Sequence, residues 1–424
     1  MKHALAALLA LAGLAGASAG TAAKPLSYTL LYNFCTQGGC ADGSLPTSGL
    51  VADAKGNLFG VTETGGAHNQ GIVFELERRK GSYALKVLHD FCFSCGDGVF
   101  PVSALVIDVK GNLYGATLGG GAHDCGIVFR LAPGKARLTV LHDFCTQAGD
   151  GNSPDTALVY AGKSAGAPYD GVSALYGTTP SGGAHQRGTV FALAPAGKSW
   201  SLTTLYSFCA LAGCADGGGP SGELLLDGAG NLFGNASMGG GAGVVYELSP
   251  TAPGAQMTEK VVHAFCAPDE CADGQGPAGA LVMTAKGEIL GTTVNALGAE
   301  GGAIFRLSPG GGGEWQESLE HVFCATDCAD GYFPSGGLTS DGGGNVYGVN
   351  QLGGTGEGGI GGGVAYRFRD GKLTQLYQFC SQQGCADGRL PVGNLLRDAH
   401  GRIFGVTAQG GPKSAAGTVF RLSR

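Results

Sequence analysis

Charge is scarce in this chain. Only 14% of its 424 residues are Asp, Glu, Lys or Arg, against roughly a quarter in an average domain. The acids outnumber the bases, 33 to 26, giving a net charge of −7. The densest cluster, Glu77-Arg78-Arg79-Lys80, contains an acid. Neutralising a phosphate backbone needs a basic face, so nucleic acid is not an expected partner. Beyond the first residues no stretch approaches about 18 unbroken apolar residues, so no membrane span is expected, and no segment carries a helical period. A nucleophile elbow, a phosphate loop and a zinc-protease helix are also missing.

What the chain has in excess is glycine, 81 residues, with 17 prolines. Collagen would place the glycines at a strict period of three, and they show none. A disordered chain would be poor in apolar residues, yet 43% here are hydrophobic. The combination describes a large core interrupted by very many turns. The opening residues read as a secretory signal. Lys2 and His3 form the basic start, Ala4 to Leu14 the apolar stretch, and Ala17-Ser18-Ala19 the cleavage site, with a second possible cut after Ala23. No cysteine lies near the cut, so a lipid anchor is not expected. The expected division is a signal peptide over 1–19, a short linker over 20–26 and one domain over 27–424.

That domain is a repeat. Phe-Cys recurs at Phe34, Phe91, Phe144, Phe208, Phe265, Phe323 and Phe379, at spacings of 57, 53, 64, 57, 58 and 56. Each copy runs through one grammar. A loop closes on Asp-Gly, as in Cys40-Ala41-Asp42-Gly43, and a short apolar run follows, Leu50-Val51-Ala52-Asp53. A turn leads into Leu58-Phe59-Gly60-Val61-Thr62, then Gly65-Gly66-Ala67-His68 precedes Gly71-Ile72-Val73-Phe74, and a hairpin returns through Leu85 to the next Phe-Cys. These are four short strands rich in β-branched and aromatic residues, parted by Gly, Asn and Asp. Seven four-stranded units predict an all-β fold, a seven-bladed β-propeller. The repeat phase adds closure. Leu30-Leu31-Tyr32-Asn33-Phe34 is a fourth-strand sequence and Gly417 to Leu422 a third-strand one, so the first strand is expected to complete the last blade and remove an open edge. Two copies depart from the pattern: the third has a long hairpin, Ala161 to Ser173, and the fifth reads Lys286-Gly287-Glu288-Ile289-Leu290-Gly291 at its second strand.

Fourteen cysteines in a chain with an export signal point to disulfides. Six copies place two in the loop after the fourth strand: Cys35 with Cys40, Cys92 with Cys95, Cys209 with Cys214, Cys266 with Cys271, Cys324 with Cys328 and Cys380 with Cys385. Cys125 and Cys145 remain. They face each other if the hairpin between them turns near Gly134-Lys135, which predicts a cross-strand bond. Zinc is the rival reading, since Cys92-x-x-Cys95 has a zinc-like spacing, but most pairs have four intervening residues and no matching histidines.

The candidate functional residues come from the loops. His68, His123 and His185 occupy Gly-Gly-Ala-His loops in three consecutive copies and have no later counterpart, so they break the repeat where function is expected to concentrate. Equivalent residues on blades about 10 Å apart do not converge on a zinc ion that wants nitrogens at about 2.1 Å, and loop polarity carried by duplication is the plainer account. The Asp-Gly aspartates, Asp42, Asp97, Asp150, Asp216, Asp273, Asp330 and Asp387, should ring one face. One carboxylate per blade is a poor calcium site, so turn-forming bonds to the loop backbone are preferred, with calcium the one conceivable cofactor. The second set, Asp53, Asp108, Asp227, Asp341 and Asp398, is also turn chemistry. His89, His142, His263 and His321 alternate with Tyr32, Tyr206 and Tyr377 two residues before the Phe-Cys. A position that accepts either ring packs, with a polar tip.

The unit Gly111-Asn112-Leu113-Tyr114-Gly115-Ala116-Thr117, then Gly119-Gly120 and Gly126-Ile127-Val128-Phe129, resembles the GloVer tandem repeat of bacterial surface proteins. The resemblance covers essentially the whole domain. It implies export and, in many members, a surface-anchoring signal, and it implies no particular reaction. The chain stops at Arg424, two residues past Leu422, with no apolar tail or sorting motif, so a soluble secreted or periplasmic form, acting as a monomer, is expected. The expected role is binding or scaffolding on the loop face, toward a glycan, a protein or a surface component, without catalysis. The alternative is a metal-assisted hydrolase or lyase at the channel mouth, an analogy drawn from the fold alone. Quinone-dependent propellers carry a tryptophan signature in most blades, and only Trp200 and Trp315 are present.

Overall fold

In the computed structural model, which describes residues 26–135, 137–251, 256–266, 271–296, 301–356, 361–413 and 415–424, the chain closes into a ring of seven antiparallel blades. The fifth blade shows the unit. Gln275–Met283, Ile289–Asn295, Ala303–Pro309 and Trp315–Val322 lie side by side in chain order, from the axis outward. No α-helix occurs among the described residues; the helical turns are short 3-10 pieces such as Gln383–Cys385. In the third blade the innermost strand shrinks to a single bridge, Val159 to Tyr176. The first 25 residues, with the expected signal and its cleavage site, lie outside the described residues.

The Phe-Cys phenylalanine is the key between blades. Phe34 meets Phe74 edge-on at 5.1 Å, Phe91 meets Phe129 at 5.5 Å, and Phe144 meets Phe191 at 5.4 Å, each reaching into the next blade. The contact continues through Phe208–Tyr246, Phe265–Phe305, Phe323–Tyr366 and Phe379–Phe420. All of these phenylalanines are fully buried. Each pair adds about 1 kcal/mol beyond its buried area. The repeated second-strand glycine serves this ring: a Cβ on Gly291 would lie 2.3 Å from Phe305.

A second device is a backbone latch. The residue two after each Asp-Gly aspartate's glycine has positive φ in every blade: Leu45, Phe100, Ser153, Gly219, Gly276, Phe333 and Leu390. That turn aims its N–H at the preceding blade's loop. Leu45 donates to Ala416 at 2.9 Å, Phe100 to Gln70 at 3.0 Å and Leu390 to Gly362 at 2.8 Å. The first of these also spans the ring closure. There, Ser27–Asn33 pairs antiparallel with Thr418–Ser423, from Ser27 opposite Ser423 to Asn33 opposite Thr418. The N-terminal strand therefore completes the seventh blade.

At the axis the inner strands touch backbone to backbone. A Cβ on Gly222 would lie 2.2 Å from the Gly279 carbonyl oxygen, and one on Gly336 would lie 2.4 Å from that of Gly393. The long hairpin of the third blade folds back the other way. Tyr169 is fully buried against Tyr114 of the second blade, with ring centres 5.2 Å apart. The same hairpin sends Lys163 toward the axis.

Candidate functional site

The loop face is built from stapled turns. All seven predicted cysteine pairs are bonded. Six are the short loop staples: Cys35 to Cys40, Cys92 to Cys95, Cys209 to Cys214, Cys266 to Cys271, Cys324 to Cys328 and Cys380 to Cys385. The seventh joins Cys125 to Cys145, with the Cα atoms 6.0 Å apart. Its hairpin has the expected register, Ile127 opposite Asp143 and Val128 opposite His142, before a bulge shifts it. Seven disulfides fit an oxidising compartment.

Inside each loop the aspartate is a clamp. Asp42 accepts bonds from the Thr36 and Gln37 N–H groups at 3.0 and 3.2 Å, and from the Tyr32 hydroxyl at 2.8 Å. The same couple recurs as His89–Asp97 at 2.8 Å, His142–Asp150 at 3.0 Å, Tyr206–Asp216 at 2.8 Å, His263–Asp273 at 2.9 Å, His321–Asp330 at 2.8 Å and Tyr377–Asp387 at 2.7 Å. The Tyr-or-His position and the Asp-Gly position are thus one pair, which reading them separately had missed. The shared signal was their near-constant spacing, eight to ten residues. The bonds also differ from a narrow Asx turn, because the donors lie upstream across the disulfide loop. The carboxylate oxygens are spent on protein donors. Burial works against ionisation of Asp42, but the bonds from Tyr32 and Thr36 outweigh it and hold its carboxyl below the usual range. Burial in turn pushes Tyr32 up to about 12.

The Gly-Gly-Ala-His loops sit on this same face, because they join second to third strands while the Asp-Gly loops join fourth to first, and both connections fall at one end of the blade. Gly66 donates to the Cys40 carbonyl at 2.9 Å, and Gly121 to that of Asp97 at 3.0 Å. His68, His123 and His185 are exposed at the loop tips. Their loops are held from below: Ala67 donates to Asp90 and Ala122 to Asp143, each at 2.8 Å. His68 borders a cavity of about 530 Å³ with His89, Asp90, Asp97 and Arg137. His123 and His185 do not join it. Among the described residues, no three His, Cys, Asp or Glu side chains gather as a metal site would require.

The axis is crossed by side chains. Glu223 pairs with Lys163 at 2.7 Å and accepts the Asn394 side-chain amide at 3.2 Å, while Asn394 accepts the Gly337 N–H at 2.8 Å. This chain of contacts joins the third, fourth, sixth and seventh blades. Asp155 lies on the neighbouring inner strand segment; burial pushes its carboxyl up to about 6. Its Oδ1 has no donor among the described residues, nor do Thr47 Oγ1 and Ser335 Oγ at the equivalent repeat position.

Comparison with known proteins fits this repeat. The model of the Gloeobacter/Verrucomicrobia repeat matches residues 18–173, 159–360 and 270–424. The chain belongs to this repeat family. No curated protein matches it. Among solved structures, the β-propeller domain of Cps50 (Swd1) from Myceliophteria thermophila is similar at 11% identity, with a TM-score of 0.54 over 94% of this chain and 100% of that one. That likeness is one of fold alone. A Thermus thermophilus protein described as an oxidoreductase (glucose dehydrogenase) is 16% identical over 77% of this chain and 97% of its own, with a TM-score of 0.41. No helix among the described residues is long and apolar enough to cross a membrane.

Proposed function

We propose that this member of the repeat family is an exported, monomeric binding or scaffolding module that engages a glycan, a protein or another cell-surface component with its loop face. One observation carries the reading. Three of the large apolar side chains left exposed stand on the stapled loops or just after them: Phe93 at 58%, Leu211 at 55% and Phe333 at 40%. Phe93 and Leu211 lie within disulfide loops, and Phe333 is the latch residue of the sixth blade. Apolar anchors on rigid loops lose little entropy on binding, and a scaffold of fixed elements carrying such loops is a common binding design. The reading needs neither a metal nor a cofactor.

The test is a screen of purified protein on glycan, cell-wall and surface-protein arrays beside a variant combining Phe93→Ser, Leu211→Ser and Phe333→Ser. The expected result is a hit that the variant loses while its melting temperature is kept. A hit held equally by both would move the site elsewhere, and no hit on any array would count against the reading.

A further inference from the structure

At the opposite end of the blades a cleft of about 710 Å³ opens between the sixth and seventh blades, lined by Arg367, Arg397, Arg402 and Arg421 with His400 and Thr374. No Asp or Glu side chain lines it; Arg424, the last residue of the sequence, also lines it, with a fifth guanidinium and a main-chain carboxylate. In a chain of net charge −7 this is a concentrated positive field with low-dielectric walls.

The repeat supplies its own control. Arg306, Arg367 and Arg421 occupy one position of the third strand in consecutive blades, opposite Leu290, Tyr347 and Phe404. In the fifth blade Arg306 is closed by two carboxylates, Glu288 at 2.6 Å and Glu320 at 2.8 Å. In the next two blades both acids are gone. The bulge residue that is Glu320 in the fifth becomes Leu376 and Leu31, and the turn residue that is Glu288 becomes Asn345 and Arg402. Arg367 and Arg421 then find only hydroxyls, Thr374 at 3.3 Å and Thr29 at 3.2 Å. The Nε atoms of both are buried and have no acceptor among the described residues. A buried guanidinium N–H left unpaired is costly, and among the described residues no carboxylate pairs with Arg367 or Arg421 as two do with Arg306.

Two further arginines face the same space from the seventh blade. Arg402 is fixed by Asp398 at 2.6 Å, and Arg397 lies over the Tyr347 ring, 5.9 Å from its centre. The residue corresponding to Arg397 is Met283 in the fifth blade and Ser340 in the sixth. We propose that this cleft binds a small ligand bearing two or more oxyanion groups (carboxylate, sulfate or phosphate). Planar guanidinium forks match such groups bidentately, and Arg367 and Arg421, on adjacent blades, hold two of them apart.

Isothermal titration calorimetry of the full, disulfide-intact chain with pyrophosphate, citrate and a heparin-derived disaccharide tests this, at low and at physiological salt. The expected result is one saturable site for at least one probe, weakened by salt, with the probe that binds tightest identifying the oxyanion. Arg397→Ser with Arg402→Asn installs the residues the sixth blade itself carries, so the fold should persist while affinity falls at least about tenfold. Arg367→Gln with Arg421→Gln should remove binding, and Arg306→Gln should leave it unchanged. Absence of binding by all three probes, or equal loss with Arg306→Gln, overturns the proposal. The triple loop-face variant of Phe93, Leu211 and Phe333 should bind these anions normally, which separates the two readings.

Discussion

Asp216 shows how much of a blade hangs on one residue. It is fully buried and accepts from the Tyr206 hydroxyl at 2.8 Å and from the Ala210 and Leu211 N–H groups at 2.9 and 3.1 Å. Bonds to a charged acceptor are the stronger kind, and Asp216→Ala leaves three donors facing an empty place. Urea unfolding should show a loss of about 3 kcal/mol, with Asp216→Asn recovering part of it. Titration gives a second prediction. Asp42 and Asp330 have folded pKa values below their ordinary 3.8, burial being outweighed in each by bonds from Tyr32 and His321 respectively. Their stabilisation is present above that ordinary value and is lost as pH falls through the folded ones. Glu259 and Glu317 behave oppositely: burial, with the charges of Asp216 and Asp273, pushes each from 4.5 up to about 7. They bind protons more tightly when folded, so stability rises as pH drops from about 7 toward 4.5. The melting temperature should therefore peak between about pH 4 and 6, and Glu259→Gln with Glu317→Gln should flatten the alkaline side of that peak. A profile that keeps rising through pH 8 would contradict it.

At the scale of the element, the hairpin of the second blade replaces a loop staple with a cross-strand one. Cys125–Cys145 spans 20 residues where the other bonds span 3 to 5. Replacing both cysteines by serine should cost about 3 kcal/mol in denaturant unfolding, against about 2 for a short loop such as that of Cys209 and Cys214. This bond was legible in the sequence because an antiparallel ladder advances one residue on each side of its turn. The bulge between Val128 and Phe129 was not, since nothing in the residue types marks it. The latch was hidden for a similar reason. Leu45, Phe100 and Leu390 adopt positive φ, a conformation usually signalled by glycine, and their neighbours, not their own preferences, hold them there. The axial glycines were visible as an excess without a place. Gly279 has φ +74°, and a Cβ there would lie 2.8 Å from the Gly336 carbonyl oxygen. Gly279→Ala should therefore lower stability by about 2 kcal/mol, measurable by the same unfolding assay.

For the whole molecule, the blade count and the closure could be read because they are properties of period and phase, and the repeat prints both seven times. The basic cleft could not. Arg397, Arg402 and Arg421 come together within the seventh blade, and Arg367 joins them only when the sixth blade packs beside it. That Arg367 and Arg421 lack a carboxylate is visible only beside the ion pairs of Arg306. Closure itself carries the last prediction. Ser27–Asn33 is the one strand supplied to a blade from the far end of the chain. Without it, Thr418–Ser423 becomes an edge with a row of unpaired N–H and C=O groups, a template for pairing with another chain. The Tyr28–Tyr377 stacking contact, 4.9 Å between ring centres, is lost as well. Because each blade packs on its neighbours, an opened ring can fray from the seventh blade while the remainder stays folded. A form lacking residues 27–33 should thus unfold in more than one step by calorimetry and show concentration-dependent association by light scattering. Adding the peptide Ser27–Asn33 in excess should restore a single transition by refilling the edge. If the truncated form melts in one step and stays monomeric, the strand is an ornament on an already complete ring, and the closure seen in its register does not hold the propeller together.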